Sequence, residues 1–274
     1  MVRLIGNYEL KNGSKKHINV TIGNGQMVVV AGLPNAGKTS FLRSIIDPEV
    51  PIALESVDKS QVLYEGIHCT MDDRKTILQN FEHYYMAYQI EYNPTDLVNY
   101  LRAELDCNPQ SIVDGFPRSI KKLLCIIRLV YASPSLLILD EPSSQMDEYS
   151  CKIFFSTLQN FLKNGGKALL ITHDMRLIQK ASTIILFSQV LSVVSKKSKG
   201  LGIGIIKGPK KPLEGQLIYE DPSNKIRIYM YEDQELYELE KSLTSSSQFF
   251  WTFRPETYIK KLGELVSYNP STLP

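Results

Sequence analysis

The chain has little to staple or anchor itself with. Its four cysteines, Cys69, Cys107, Cys125 and Cys151, form no close pair along the sequence, and its four histidines do not neighbour them. A disulfide framework or a zinc site is therefore not expected. No apolar run is long enough to cross a bilayer, since the most apolar stretch, near Ile184 to Val194, is short and interrupted by polar residues. The first residues lack the charged-then-apolar pattern of a signal peptide. Charge of one sign is missing too: 31 basic and 29 acidic residues leave a net charge of +2, which gives no strong nucleic-acid footprint. The densest basic run, from Lys196 and Lys197 through Lys207 to Lys210 and Lys211, is broken by glycines and reads as a solvated connector. There are no repeats and no low-complexity tracts.

What is present is an ordinary globular composition, 43% apolar and 22% charged over 274 residues, enough for one large domain or a domain with an appendage. Two strands are expected between Tyr8 and Ile22, ending in the Gly23-Asn24-Gly25 turn. Gln26 to Ala31 is a continuous β-branched run, as in a strand covered on both faces, and Thr39 to Ile46 follows as a helix. Helical spacing marks Asp72 to Tyr92, with Ile77, Phe81, Tyr84 and Tyr85 on one side. Asn93-Pro94 ends that helix, and Thr95 is the expected cap of another reaching Leu105. Further helices are expected over Ser119 to Tyr131 and Tyr149 to Asn164. Leu136 to Leu139, Ala168 to Thr172 and Ser182 to Phe187 are short buried strands. Strands alternating with helices indicate an α/β fold with a mainly parallel sheet, whose chemistry gathers at the strands' C-terminal ends. From about residue 201 the texture changes to Lys, Gly and Pro and then to alternating segments such as Lys225 to Tyr229, indicating a small α+β appendage.

Between the strand ending at Ala31 and the helix at Thr39 stand Gly32, Leu33, Pro34, Asn35, Ala36, Gly37, Lys38, Thr39 and Ser40. The two glycines let backbone N–H groups wrap a phosphate, and the helix presents its positive end. Lys38 can reach the β and γ phosphates, and the Thr39 hydroxyl can ligate Mg²⁺. This is a P-loop. Downstream, Leu136 to Leu139 runs into Asp140 and Glu141, one carboxylate suited to a metal shell and the next to activating a water. His173, at the tip of the following strand, is a candidate contact to the γ phosphate.

Taken together, these segments resemble an ATP-binding cassette ATPase of the transporter type. The resemblance rests on Gly32 to Ser40, on Leu136 through Asp140-Glu141-Pro142-Ser143-Ser144 to Gln145-Met146-Asp147, and on Ile171-Thr172-His173-Asp174, and it covers about residues 1 to 195. It implies a P-loop NTPase fold, a RecA-like mainly parallel sheet with a helical subdomain over about 67 to 131 and a C-terminal accessory region over 201 to 274. It implies ATP and Mg²⁺ as ligands. Lys38 and Thr39 would bind phosphate and metal, Asp140 would serve the metal, Glu141 would be the general base and His173 the γ-phosphate switch. Tyr8 matches the aromatic residue that stacks on adenine, and Asp147 lies in the loop that communicates across a dimer. The implied setting is the cytoplasmic face of a membrane, with a separate transmembrane permease and a second cassette, identical or paralogous, as partners.

Two positions depart from the family pattern. The Leu-Ser-Gly-Gly-Gln signature, counted back from Asp140, falls on Phe116-Pro117-Arg118-Ser119-Ile120 and keeps none of its residues. The family's metal-linking glutamine has Glu65 as its nearest equivalent, a further candidate metal ligand. Two other readings compete: an ATP-sensing interaction module with little hydrolysis, and a nucleoside monophosphate kinase, because Asp114-Gly115-Phe116-Pro117-Arg118 resembles an adenylate kinase motif. The kinase reading leaves Leu136 to Asp147 unexplained.

Overall fold

A computed structural model describes residues 1–9, 15–32, 37–46, 52–105, 107–187, 191–195, 201–207, 216–221, 226–232 and 249–253. The chain divides into two compact units, each taking several segments. One comprises Met1–Gly6, Asn19–Met27 and Leu42–Thr172, the other Asn7–Ile18, Val28–Phe41 and His173–Pro274.

In the first unit, β4 (Ile52–Glu55) pairs antiparallel with the early part of β1 (Val2–Glu9), and Arg3 bridges to Glu55 at 3.5 Å. Its parallel strands are β5 (Val62–Glu65), β6 (Leu136–Asp140) and β7 (Ala168–Ile171), with Leu63 opposite Leu137 and Leu139 opposite Leu170. Leu136 to Leu139 are all buried, each side chain worth about 1.5–3 kcal/mol against exposure. That burial on both faces fixes the strand, and so fixes where Asp140 and Glu141 emerge.

The helices of this unit follow their capping chemistry. α2 (Ile77–Ala87) starts later than the spacing alone suggests, because Thr76 and Gln79 form a reciprocal capping box at 3.1 and 3.0 Å. α3 (Pro94–Leu105) is capped by Asn93, not by Thr95: the Asn93 side-chain oxygen accepts from the Thr95 and Asp96 N–H groups. Pro94 fits the first helical position, where its missing N–H has no intrahelical role, so the cap moves back one residue before it. α4 (Arg118–Tyr131) is buried nearly all round, and Ser133, at φ 49°, turns the chain out of it toward β6. α5 (Glu148–Lys163) buries Ile153, Phe154, Leu158 and Phe161 and ends at Gly165, whose φ of 86° suits glycine.

The second unit holds most of β3 (Met27–Gly32), which pairs parallel with β8 (Thr183–Phe187) over Val28 to Gly32. β9 (Leu191–Ser195) returns antiparallel along β8. Five strands thus carry parallel pairings, as the α/β reading expects. α1 (Lys38–Ile46) follows β3, and α6 (Met175–Lys180) precedes β8. Toward the C-terminus, β10 (Leu201–Lys207), β11 (Gln216–Asp221), β12 (Ile226–Glu232) and β13 (Phe249–Phe253) pair antiparallel in the order β11-β12-β10-β13. All elements described in that stretch are strands; the helical part of the expected α+β appendage falls outside the described residues.

Candidate functional site

Gly37 closes the P-loop with φ 99°, a conformation that glycine adopts freely, and its carbonyl accepts from the Phe41 N–H at 2.9 Å as α1 begins. Leu33, Pro34, Asn35 and Ala36 lie outside the described residues. Lys38, the first residue of α1, is 7% exposed, so its side chain is enclosed by protein where the helix begins. Thr39 is half-buried and Ser40 exposed. Tyr8 comes to this loop: its hydroxyl donates to the Gly37 carbonyl at 3.2 Å, and its ring meets Phe41 edge-on at 5.4 Å. A side-chain carbon at Gly37 would lie 3.3 Å from the Tyr8 hydroxyl, a second reason for glycine there.

His173 keeps exposed surface. Crowding by protein around the rest of its ring, and then the charge of Lys38, push its pKa below the usual histidine value. His173 and Lys38 therefore sense each other, and the imidazole is neutral at pH 7.

The carboxylate pair is built differently. Asp140 ends β6, is 1% exposed, and neither of its carboxylate oxygens has a hydrogen-bond partner among the described residues. A buried carboxylate left so is costly unless a cation joins it, so the donor set fits Mg²⁺. Glu141 turns the chain at φ 47°, unusual for a residue with a side chain. That turn is held on both sides: the Glu141 N–H donates to the Ile171 carbonyl at 2.9 Å, and its own carbonyl accepts from the Ser144 hydroxyl at 2.7 Å and N–H at 3.1 Å. Backbone strain kept in place by such contacts is a mark of positions where a side chain must be aimed.

Asp147 caps α5, accepting from the Ser150 N–H at 2.7 Å with one oxygen and from the Ser119 hydroxyl at 2.6 Å with the other. The Ser119 bond first, then those from Ser150, hold its pKa below the usual carboxylate range. Ser119 is the fourth residue of the segment standing where the family signature is expected. In the same segment Pro117 occupies the N-cap of α4 without a side-chain cap, and Arg118 is exposed.

Glu65 is 2% exposed. It ends β5 facing α4, with the Arg128 guanidinium at 3.8 Å and the Thr70 hydroxyl at 3.5 Å. Arg128 in turn donates to Thr70 at 2.7 Å and lies 4.1 Å over the Tyr84 ring. Lys122 donates to the carbonyls of Gly66 and Ile67. Burial dominates at both ends of this cluster, raising the Glu65 pKa and lowering that of Lys122, with the opposite charges countering it. One Glu65 oxygen has no hydrogen-bond partner among the described residues. Sequence reading missed Lys122 and Arg128; two basic residues on a helix buried nearly all round were the available signal.

The cysteines add a contact that their spacing did not indicate. Cys69 and Cys125, 56 residues apart, meet at 2.6 Å between sulfurs, because the loop after β5 folds back on α4. Sequence distance said nothing of this pairing.

A model of the ABC transporter family matches residues 15–144, a span running from β2 (Lys15–Ile22) through the P-loop to the carboxylate pair. Over that span the chain is similar to the ATP-binding cassettes of this family. The cassette is 26% identical over 156 residues to the cytochrome c biogenesis ATP-binding export protein CcmA of Ruegeria, covering 57% of this chain and 76% of that one. It is 22% identical over 191 residues to the arginine transport ATP-binding protein ArtM of Bacillus subtilis, over 63% and 80% of the two chains. Among solved structures, the ATP-binding subunit of an ABC transporter superposes with a TM-score of 0.61 at 18% identity, over 72% of this chain and 90% of that one. At that identity the likeness concerns the fold, and it agrees with the P-loop α/β architecture. Cassettes of this family bind and hydrolyse ATP.

Proposed function

We propose that this cassette is the ATP-hydrolysing subunit of an ABC transporter, driving a separate membrane-spanning partner from the cytoplasmic face. The observation that carries the reading is Asp140: a buried carboxylate without hydrogen-bond partners among the described residues, at the end of a strand that the family model matches and directly before Glu141. Relatives named for export and for arginine transport support the transport setting. Among the described residues no helix is long and apolar enough to cross a membrane, so the spanning part is assigned to another chain.

In this reading residues 1–200 form the nucleotide-binding domain, with about 67–131 as its helical part, and 201–274 are an accessory region. Gly32 to Ser40 cradle the phosphates of ATP, with Lys38 countering their charge. Tyr8, whose ring stands beside the P-loop end, is assigned to the adenine. Thr39 and Asp140 hold Mg²⁺. Glu65 is the remaining proposed ligand, through its unpaired oxygen, and makes the weaker contact because Arg128 and Lys122 share its charge. Bound Mg²⁺ supplies neutralisation of the phosphate charge. Glu141 accepts the proton of the attacking water, aimed by its left-handed backbone. His173, neutral at pH 7, donates or accepts one hydrogen bond at the γ phosphate and so registers its presence.

The start of α4 suggests which dimer works. A phosphate-contacting helix start needs free N–H groups and small residues. Here Pro117 brings no N–H and Ser119 is committed to Asp147. We assign the functional pair to this cassette and a paralogue that supplies an intact signature. Purification from membranes of the native host is the test. A multi-spanning protein together with a second cassette, and faster turnover in that assembly than in the isolated chain, are expected. Co-purification with soluble proteins alone, with negligible turnover, favours the ATP-sensing module, and fast turnover by the isolated homodimer removes the need for a paralogue.

A further inference from the structure

The loop after β5 and the middle of α4 bring two thiols together beside Glu65, and neither thiol has a part in the proposed nucleotide chemistry. Cys69 is half-buried, and its sulfur also lies 3.3 Å from the Lys121 carbonyl. Cys125 is buried on α4. The two sulfurs are in contact at 2.6 Å. All four cysteines are free thiols, and the sulfurs of Cys107 and Cys151 lie against the carbonyls of Leu101 and Met146.

We propose that Cys69 and Cys125 form an oxidisable pair that a peroxide converts into a disulfide, stapling the loop after β5 to α4. The chemistry balances in two steps. The Cys69 thiol, the one with solvent access, attacks a peroxide oxygen; the O–O bond breaks, a sulfenic acid forms, and one water leaves when hydrogen peroxide is the oxidant. The Cys125 sulfur then attacks the Cys69 sulfur, forming the S–S bond and releasing the hydroxyl as a second water. Two thiols have lost two electrons and the peroxide has gained them. Intracellular disulfides of this kind are transient and signalling rather than structural.

The staple has a defined mechanical object. Lys122 already holds the carbonyls of Gly66 and Ile67, and Arg128 holds Thr70. Those are reversible contacts between the same two elements. A covalent bond at Cys69 makes that contact permanent until a reductant arrives, and so locks the segment that begins at Glu65. The inference does not depend on the transport reading, because it concerns two sulfurs and is read by mass.

The experiment uses the full chain, reduced and then treated with hydrogen peroxide, alkylated and digested with trypsin without reduction. Cleavage after Lys59, Arg74, Lys122 and Arg128 places the two cysteines on peptides 60–74 and 123–128. The expected result is a linked species of these two peptides, short of two hydrogens, which disappears on adding dithiothreitol and is absent from Cys69→Ala. The oxidised parent should also unfold at a higher temperature than the reduced one, since the cross-link closes a long loop, while Cys69→Ala shows no such shift. Full alkylation of both thiols after peroxide, oxidation of Cys69 to a sulfinic acid without the linked peptide, or a link made instead by Cys107 or Cys151 overturns the proposal. The peptide map of the parent decides the matter even where the variant folds poorly.

Discussion

The starts of α1 and α4 look alike on paper and are built to opposite ends. Each follows a loop, and each puts a basic residue in the first helical position, Lys38 or Arg118. Before α1 stands Gly37 at φ 99°, and Lys38 is buried against the helix. Before α4 stands Pro117, Arg118 points to solvent, and Ser119 turns inward to Asp147. A helix start is therefore not in itself a phosphate site. The residue before it decides whether N–H groups remain to be offered, and the partners of the next side chains decide whether they are already engaged.

The contrast is most severely exposed by Glu141, the proposed base for a nucleotide at α1. Glu141→Gln should lower turnover by about 10²–10⁴-fold while nucleotide affinity is retained, read as phosphate release against equilibrium binding. Parental turnover in that variant would remove Glu141 from its role. Next in size is the anchoring of α4. Glu65→Ala leaves Arg128 and Lys122 buried without their carboxylate, and should destabilise the fold by about 3–5 kcal/mol in denaturant titration. A loss below about 1 kcal/mol would mean that α4 is not held by this cluster.

A direct comparison pairs Lys38→Ala with Arg118→Ala. The first should weaken ATP binding about 10–100-fold, the cost of a charged hydrogen bond, and the second should leave the isolated chain's affinity within about 2-fold. Equal losses would erase the distinction between the two helix starts. The smallest effect is a titration. The His173 imidazole should titrate below 6.5 by NMR, and Lys38→Met should move it back up by removing a positive neighbour. The sign for stability follows: as the pH falls from 6.5, the unfolded chain protonates His173 first. Its contribution is present above that value and lost down to the lowered one. An unchanged midpoint in Lys38→Met would separate the two side chains.

Much of this was legible because the local signals were redundant. β6 has an apolar run, a preceding turn and a carboxylate end, and the structure places it over Leu136–Asp140. The helix over 118–131 and that over 148–163 were found within a residue, since capping and breaking residues flank both. Thr95 was misread as a cap because Asn93 offers the same chemistry two positions earlier, with Pro94 locking the first turn. The partners of α4 were not legible. Spacing cannot say that Arg128 would reach Glu65, or that Cys125 would reach Cys69, because those contacts depend on which loop folds over which helix. The roles of Lys38, Asp140, Glu141 and His173 were read from the order of strand, loop and helix together with the family resemblance, and the structure adds burial, backbone geometry and, at Asp140, oxygens without a hydrogen-bond partner among the described residues.

The bare carboxylate of Asp140 has one more consequence, and it lies in folding rather than in turnover. A buried carboxyl group whose two oxygens have no hydrogen-bond partner among the described residues is a local defect of the native state that a divalent ion, bound as proposed, would repair. Any ion taken up by the native chain and refused by the unfolded one shifts the balance by mass action. With Mg²⁺ held there as proposed, the free Mg²⁺ level would set how durable the molecule is even when no nucleotide is at hand, and a chelator is expected to act on this chain as a mild denaturant.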